Sequence, residues 1–295
     1  RINWSWFILL RFKKRNYLTT CISSSLSSGT SNLFEGFVIL AIINHKLFKM
    51  KKLLLIIVFN FSLISGQEVF MLQPIKVPLE NQPRFEIVQK EYAAKLAKKA
   101  VDRNDLSAWV LLKRVPELGG GKDGPDYTWV HLFDSPKSMA NRKAWWTYEK
   151  DFGMNRLQLY GAFDWESLGD SFYKTEMRID SDLPAKYIIF NWATPKSQQK
   201  NLEIQKEVEK QFRKYLIKSG MTGWGMASRI APQGRGESTN FWWDGYDKIE
   251  NVYKHLMMEG PQNDFPKGLV EEFNQNVPNG WDSRMVFEIL LVIGR

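Results

Sequence analysis

A histidine and an aspartate occupy the same place in two copies of one pattern. His131 lies in Trp129-Val-His-Leu-Phe133 and Asp244 in Trp242-Trp-Asp-Gly-Tyr246, 113 residues apart. A histidine polarised by a carboxylate can serve as a general base or as a ligand to a metal or haem. Alternation along a strand puts Trp129, His131 and Phe133 on one face and Trp242, Asp244 and Tyr246 on its equivalent. A pseudo-twofold arrangement of the copies would then set His131 and Asp244 on opposite sides of one cavity as an acid-base pair. The competing reading makes both ordinary polar residues of half-buried strands.

The arginines recur as well. Arg114 follows Trp109 by five residues, as Arg229 follows Trp224. Their guanidinium groups could hold a ligand carboxylate through paired hydrogen bonds. They could also pair with Asp134 and Asp247, which end the neighbouring strands, and recurrence in both copies favours this scaffold role. Trp109, Trp129, Trp224 and Trp242 suit the core and the packing between copies. Trp145, Trp146, Trp165 and Trp243 fall where the repeat does not require them, which makes them candidates for lining a ligand site or for fastening loops to the sheets. Other signals fail. Gly119 to Asp123 lacks the phosphate-loop pattern and joins two strands, His255 stands alone on a helix, and no His/Cys/Asp/Glu spacing argues for a metal.

The elements that position these residues are themselves duplicated. Val88, Tyr92, Leu96 and Ala100 make an apolar line at spacing four, and Ile204, Val208, Phe212 and Leu216 repeat it 116 residues later. Both helices then stop at a residue that tolerates the left-handed conformation, Asn104 or Gly220. A hairpin follows in each copy: Ala108 to Arg114 with Tyr127 to Phe133, and Gly223 to Arg229 with Asn240 to Tyr246. First strands precede the helices, at Val69 to Val77 and Tyr187 to Trp192. Second helices begin near Ser135-Pro136 and run from Lys248 to Met258. Closing strands run from Tyr173 to Ile179 and from Arg284 to Ile293, the latter so continuously apolar that it should be the more buried. Each copy reads βαββαβ, a ferredoxin-like unit, and each carries an irregular excursion, residues 151–170 and 259–282. The expected fold is α+β, with repeats at 67–181 and 182–295 packed sheet to sheet as an intramolecular α+β barrel.

Charge and composition bound the partners. Residues 1–66 hold nine Lys/Arg and one acid, leaving 32 basic and 31 acidic residues in the rest of the 295-residue chain. The repeats therefore have no basic footprint for nucleic acid. Met50-Lys-Lys, the apolar run to Phe59 and the small residues up to Gly66 form the pattern of a signal peptide over 50–66, too short to span a bilayer, with 1–49 read as upstream sequence. The only cysteine, Cys21, lies in that leader, so the mature chain would lack disulfides and thiolate sites. A periplasmic or secreted protein without a membrane span is expected.

The whole pattern, from a Pro after the first strand through Trp-x4-Arg to an aromatic strand ending in Phe/Tyr-Asp, resembles the dimeric α+β barrel superfamily over about residues 68–295. That superfamily includes antibiotic-biosynthesis-type monooxygenases and NIPSNAP-like domains. The narrower likeness is to uncharacterised secreted bacterial members. The resemblance implies a cavity between sheet and helices or inside the barrel. It also implies that His255 could be an axial haem ligand, as in haem-binding relatives, although the residues themselves call for no cofactor. Three functions follow as expectations: binding of a small apolar or aromatic ligand, a cofactor-independent or haem-assisted monooxygenase, or a structural envelope protein, with homo-oligomers compatible with each.

Overall fold

The computed structural model describes residues 68–142, 146–216 and 219–294. The leader readings, Cys21 and Trp145 lie outside the described residues. Among the described residues nine strands form: β1 (Val69–Lys76), β2 (Ala108–Gly119), β3 (Tyr127–Phe133), β4 (Glu166–Ser167), β5 (Ser171–Asp180), β6 (Tyr187–Ala193), β7 (Met221–Ala231), β8 (Asn240–Tyr246) and β9 (Ser283–Gly294). Their order is β3-β2-β9-β6-β8-β7-β5-β1-β4, and a further β1–β3 pairing closes eight of them into an antiparallel barrel, with β4 as a short addition to β1.

Within each half the four long strands take the same order, β5-β1-β3-β2 and β9-β6-β8-β7. The halves join through β2 with β9 and β5 with β7, so no long strand keeps a free edge. Helices cover the outside. In the first half α1 (Gln82–Val88) passes through a π turn, Gln89–Ala93, into α2 (Ala94–Asp102); in the second, α3 (Gln198–Tyr215) is regular throughout. The stops occur as the sequence implies, since Asn104 and Gly220 both have positive φ, 63° and 69°. Then comes α4 (Ile249–Leu256), and the second-half excursion after it carries α5 (Lys267–Asn276).

Period-two alternation sorts the side chains into three cores. Phe70, Leu72, Leu112, Tyr173, Phe190, Phe241 and Phe287 fill the barrel lumen. Outward residues pack under the helices, with Phe85, Leu96, Trp109 and Trp129 in the first half and Ile204, Phe212, Trp224 and Trp242 in the second. The four repeated tryptophans are thus core residues of the separate halves, and phenylalanines make most of the packing between halves. Strand β9 is less buried than its composition suggests. Only Val286 and Phe287 are buried, and Val292 is 59 % exposed because it lies at the rim of the lumen.

Trp243 is one of the lumen residues, and its indole lies flat over Gly225 on the paired strand. A β-carbon on Gly225 would fall 1.9 Å from its ring. A rigid indole between Phe70 and Phe241 has little room to retreat. We therefore expect Gly225→Ala to cost about 1–3 kcal/mol of stability, read from the shift in denaturation midpoint at unchanged m-value.

Candidate functional site

The alternation that builds the barrel also separates the two residues with which the sequence began. His131 and Asp244 point outward from β3 and β8, each under its own helical layer, with the lumen between them. They line different cavities and cannot form one acid-base pair. The positional equivalence nonetheless holds, because His131 pairs with Met71 across β1–β3 as Asp244 pairs with Ile189 across β6–β8.

Strand register extends the comparison. Gln73 corresponds to Asn191, and Asp170, just before β5, to Arg284 at the start of β9. The polar set beneath the first half is therefore Gln73, His131 and Asp170, and beneath the second Asn191, Asp244 and Arg284. In the second, Arg284 Nε donates to Asn191 Oδ1 at 2.6 Å and Asn191 Nδ2 donates to Asp244 Oδ2 at 2.9 Å. His255 on α4 shares the wall, its Nδ1 2.7 Å from the hydroxyl of Tyr246. The Arg284 guanidinium also lies over the ring of Trp281, 5.5 Å from its centroid.

Burial governs the electrostatics. It raises the Asp244 carboxyl above the usual carboxylate range, against the opposing pull of His255, Arg284 and the Asn191 hydrogen bond. It lowers His255, opposed by the Asp244 charge, and lowers Arg284 likewise. His255 therefore favours the neutral imidazole, beside a carboxyl that holds its proton more firmly than usual. Such a pair can accept or pass a proton, and Arg284 can steady an oxygen nearby. Among the described residues no group of three His, Cys, Asp or Glu is placed to hold a metal ion. His255 Nδ1 is engaged by Tyr246 and is therefore not the nitrogen that could meet an iron.

The cavities differ in size as much as in charge. The second encloses about 220 Å³, with Val208, Phe212, Trp224, Trp242, Phe265 and Leu269 among its walls. The first retains about 20 Å³. There Tyr160, Phe163 and Trp165 from the excursion pack against Trp129 and Phe85. Gln89, in the π turn, accepts from Trp129 Nε1 at 2.9 Å and donates to the Tyr160 hydroxyl at 3.3 Å, which in turn meets the hydroxyl of Tyr148 at 3.1 Å. The first half is thus stoppered by its own aromatic side chains.

The remaining sequence candidates disperse. Trp146 lines the small first cavity, Trp165 belongs to its aromatic stopper, and Trp243 lines a lumen pocket of about 160 Å³. Arg114 and Arg229 line none of these three cavities. Nor are their carboxylate partners Asp134 and Asp247: Arg114 lies 3.8 Å from Asp126 and donates to the carbonyls of Gly119 and Gly121, while Arg229 pairs with Glu237 at 2.8 Å. Antiparallel pairing is the reason, since the end of one hairpin strand faces the start of the next. Arg284, Asn191 and Gln205 were missed because no motif marks them. Offset arithmetic would have found Gln205, which stands 116 residues after Gln89.

No family model matches the chain, and no curated protein does. Solved structures are similar to it. A provisionally named monooxygenase from Fusobacterium nucleatum superposes with a TM-score of 0.52 at 9 % identity, over 79 % of this chain and 96 % of that one. Another from Lactobacillus acidophilus gives 0.46 at 11 % identity, covering 78 % and 97 %. A chlorite dismutase from Candidatus Nitrospira defluvii gives 0.45 at 9 %, covering 78 % and 93 %. The likeness of the first is one of fold alone.

His131 offers a test of this electrostatic description. Burial pushes its pKa down to about 3, so it is neutral in the folded state while the unfolded chain takes up a proton below about pH 6.5. Stability from keeping it neutral is present above that value and lost as pH falls toward 3. Between about pH 5.5 and 4 the unfolding free energy of the native protein should fall more steeply than that of His131→Gln, by about 1.4 kcal/mol per pH unit. Parallel denaturation curves at each pH would refute the assignment.

Proposed function

We propose that the protein binds one small, mainly aromatic or apolar molecule per chain, in the cavity beneath the helices of its second half. The observation that carries this reading is the contrast between equivalent places: the first half is stoppered, the second encloses about 220 Å³. Its polar end, Asn191, Asp244, His255 and Arg284, would orient a ligand whose body lies against the aromatic walls. The halves are read as copies of one ferredoxin-like unit, of which only the second keeps an open site. Export by the 50–66 signal peptide is part of the proposal, and N-terminal sequencing of the native protein tests it.

A second reading, monooxygenase-type catalysis, is favoured by the buried Asp244 and His255 at the cavity's polar end, where a proton could be taken from a bound substrate. It agrees with the name given to the Fusobacterium protein that shares the fold. Here the acid-base groups would be Asp244 and His255 of one half.

A ligand screen distinguishes the readings. A ligand at 100 times its Kd should stabilise the protein by about 2.7 kcal/mol, and Val208→Trp, which fills the cavity, should abolish the gain. Oxygen consumption with oxidisable aromatic substrates, lost in Asp244→Asn, would establish catalysis. A Soret band on titration with haem would move the assignment to a haem protein. An unchanged melting profile with every aromatic and lipid-like compound would favour the structural alternative.

A further inference from the structure

The aromatic set beneath the first half has a counterpart in the second that lacks one atom. Trp129 makes edge-on contacts with Tyr160 and Trp165, with ring centroids at 6.4 and 6.2 Å. Trp242 makes the same contacts with Phe273 and Trp281, at 6.4 and 5.1 Å. Phe273 thus takes the place of Tyr160, without its hydroxyl.

The loss leaves its mark on the neighbours. Gln89 bridges Trp129 Nε1 and the Tyr160 hydroxyl, whereas its counterpart Gln205 reaches only Asn201 Oδ1, at 3.4 Å. The indole nitrogen of Trp242 is buried with no hydrogen-bond partner among the described residues. A buried N–H left unpaired is costly, and the first half shows how this position is satisfied when an oxygen is present. Gln205, Trp242 and Phe273 all line the open cavity.

We propose that the ligand supplies the oxygen that Phe273 lacks, and that it is an uncharged hydroxyarene, a phenol or naphthol. Its hydroxyl accepts from Gln205 Nε2, as that of Tyr160 does from Gln89, and the turned amide offers its Oε1 to Trp242 Nε1. The ring rests among Phe212, Trp224 and Phe265, walls that favour an aromatic body over an alkyl alcohol. Arg284 is engaged by Asn191 and by the face of Trp281, so the oxygen is placed at Gln205 and Trp242, where a neutral hydroxyl fits better than a carboxylate. This inference rests on the reading of the second-half cavity as a binding site.

Titrating the full chain with 2-naphthol, naphthalene and 2-naphthoate by calorimetry separates the outcomes. Naphthol should bind about tenfold tighter than naphthalene, the value of one added hydrogen bond and one satisfied donor. Gln205→Leu should bring that ratio close to one. Phe273→Tyr, which restores the hydroxyl of the first half, should raise the melting temperature and displace naphthol. If Phe273→Tyr fails to fold, the ratio in Gln205→Leu decides. Equal binding of naphthol and naphthalene to the native protein overturns the inference while leaving the cavity a binding site. Preference for naphthoate, lost in Arg284→Gln, overturns it in favour of an anion. Absence of binding by all three refutes the inference, and the cavity reading itself fails if Val208→Trp also leaves every response of the wider ligand screen unchanged.

Discussion

Closure of the barrel is the constraint from which the other features follow. Once β2 pairs with β9 and β5 with β7, every long strand has neighbours on both sides and its alternate residues must choose between lumen and helices. The lumen takes Phe70, Phe190, Phe241 and Phe287, each of which contributes about 1.5–3 kcal/mol by leaving water. A one-residue slip would exchange these rings for residues such as His131 and Asp244, so the aromatic interior fixes register throughout. The same choice isolates the two outer cavities, because anything facing one helical layer is separated from the other by the filled barrel.

Much of this architecture is legible in the sequence. The spacing-four lines of both long helices, the positive-φ stops at Asn104 and Gly220 and the hairpins β2–β3 and β7–β8 all appear where local pattern puts them. Period and turn chemistry are local physics, and they repeat faithfully. Which way a strand faces is not local. Trp129, His131 and Phe133 do share a face, but periodicity cannot say whether it is toward the lumen or the helices. That ambiguity produced the expectation of a shared cavity. The arginine pairings failed for a similar reason, since proximity along the chain suggested Asp134 and Asp247 whereas antiparallel register selected Asp126 and brought Arg229 to Glu237 across the hairpin turn. The site was legible only as a difference between copies: Asp244 was visible because it replaced a histidine, while Arg284 and Asn191 correspond to Asp170 and Gln73 only after the strands have been paired.

Comparison of the polar sets shows how one scaffold can hold unlike chemistry. In the first half, an aspartate faces a glutamine and a buried neutral histidine; in the second, an arginine faces an asparagine and a buried aspartate. Both arrangements draw on three neighbouring strands of a unit, β5-β1-β3 or β9-β6-β8, which β-pairing holds rigid, so a change of residue type alters charge without moving the backbone. Burial then magnifies the change by shifting His131 and His255 down and Asp170 and Asp244 up. Rigid placement and low dielectric together make these positions the natural place for function to diverge.

The halves also differ in how their helices treat the buried glutamine. A π turn begins at Gln89, while the equivalent stretch of α3 is regular and leaves Gln205 hydrogen-bonded one turn back, to Asn201. Widening a helix costs backbone hydrogen-bond geometry, and such turns persist where another interaction compensates. In the first half that interaction is the Trp129–Gln89–Tyr160–Tyr148 chain, closed entirely by protein groups. With Phe273 in place of tyrosine, the second half has no internal oxygen to complete the chain and no compensation for a π turn. The regular helix, the weak Gln205–Asn201 contact and the unpaired indole nitrogen therefore accompany a single missing hydroxyl.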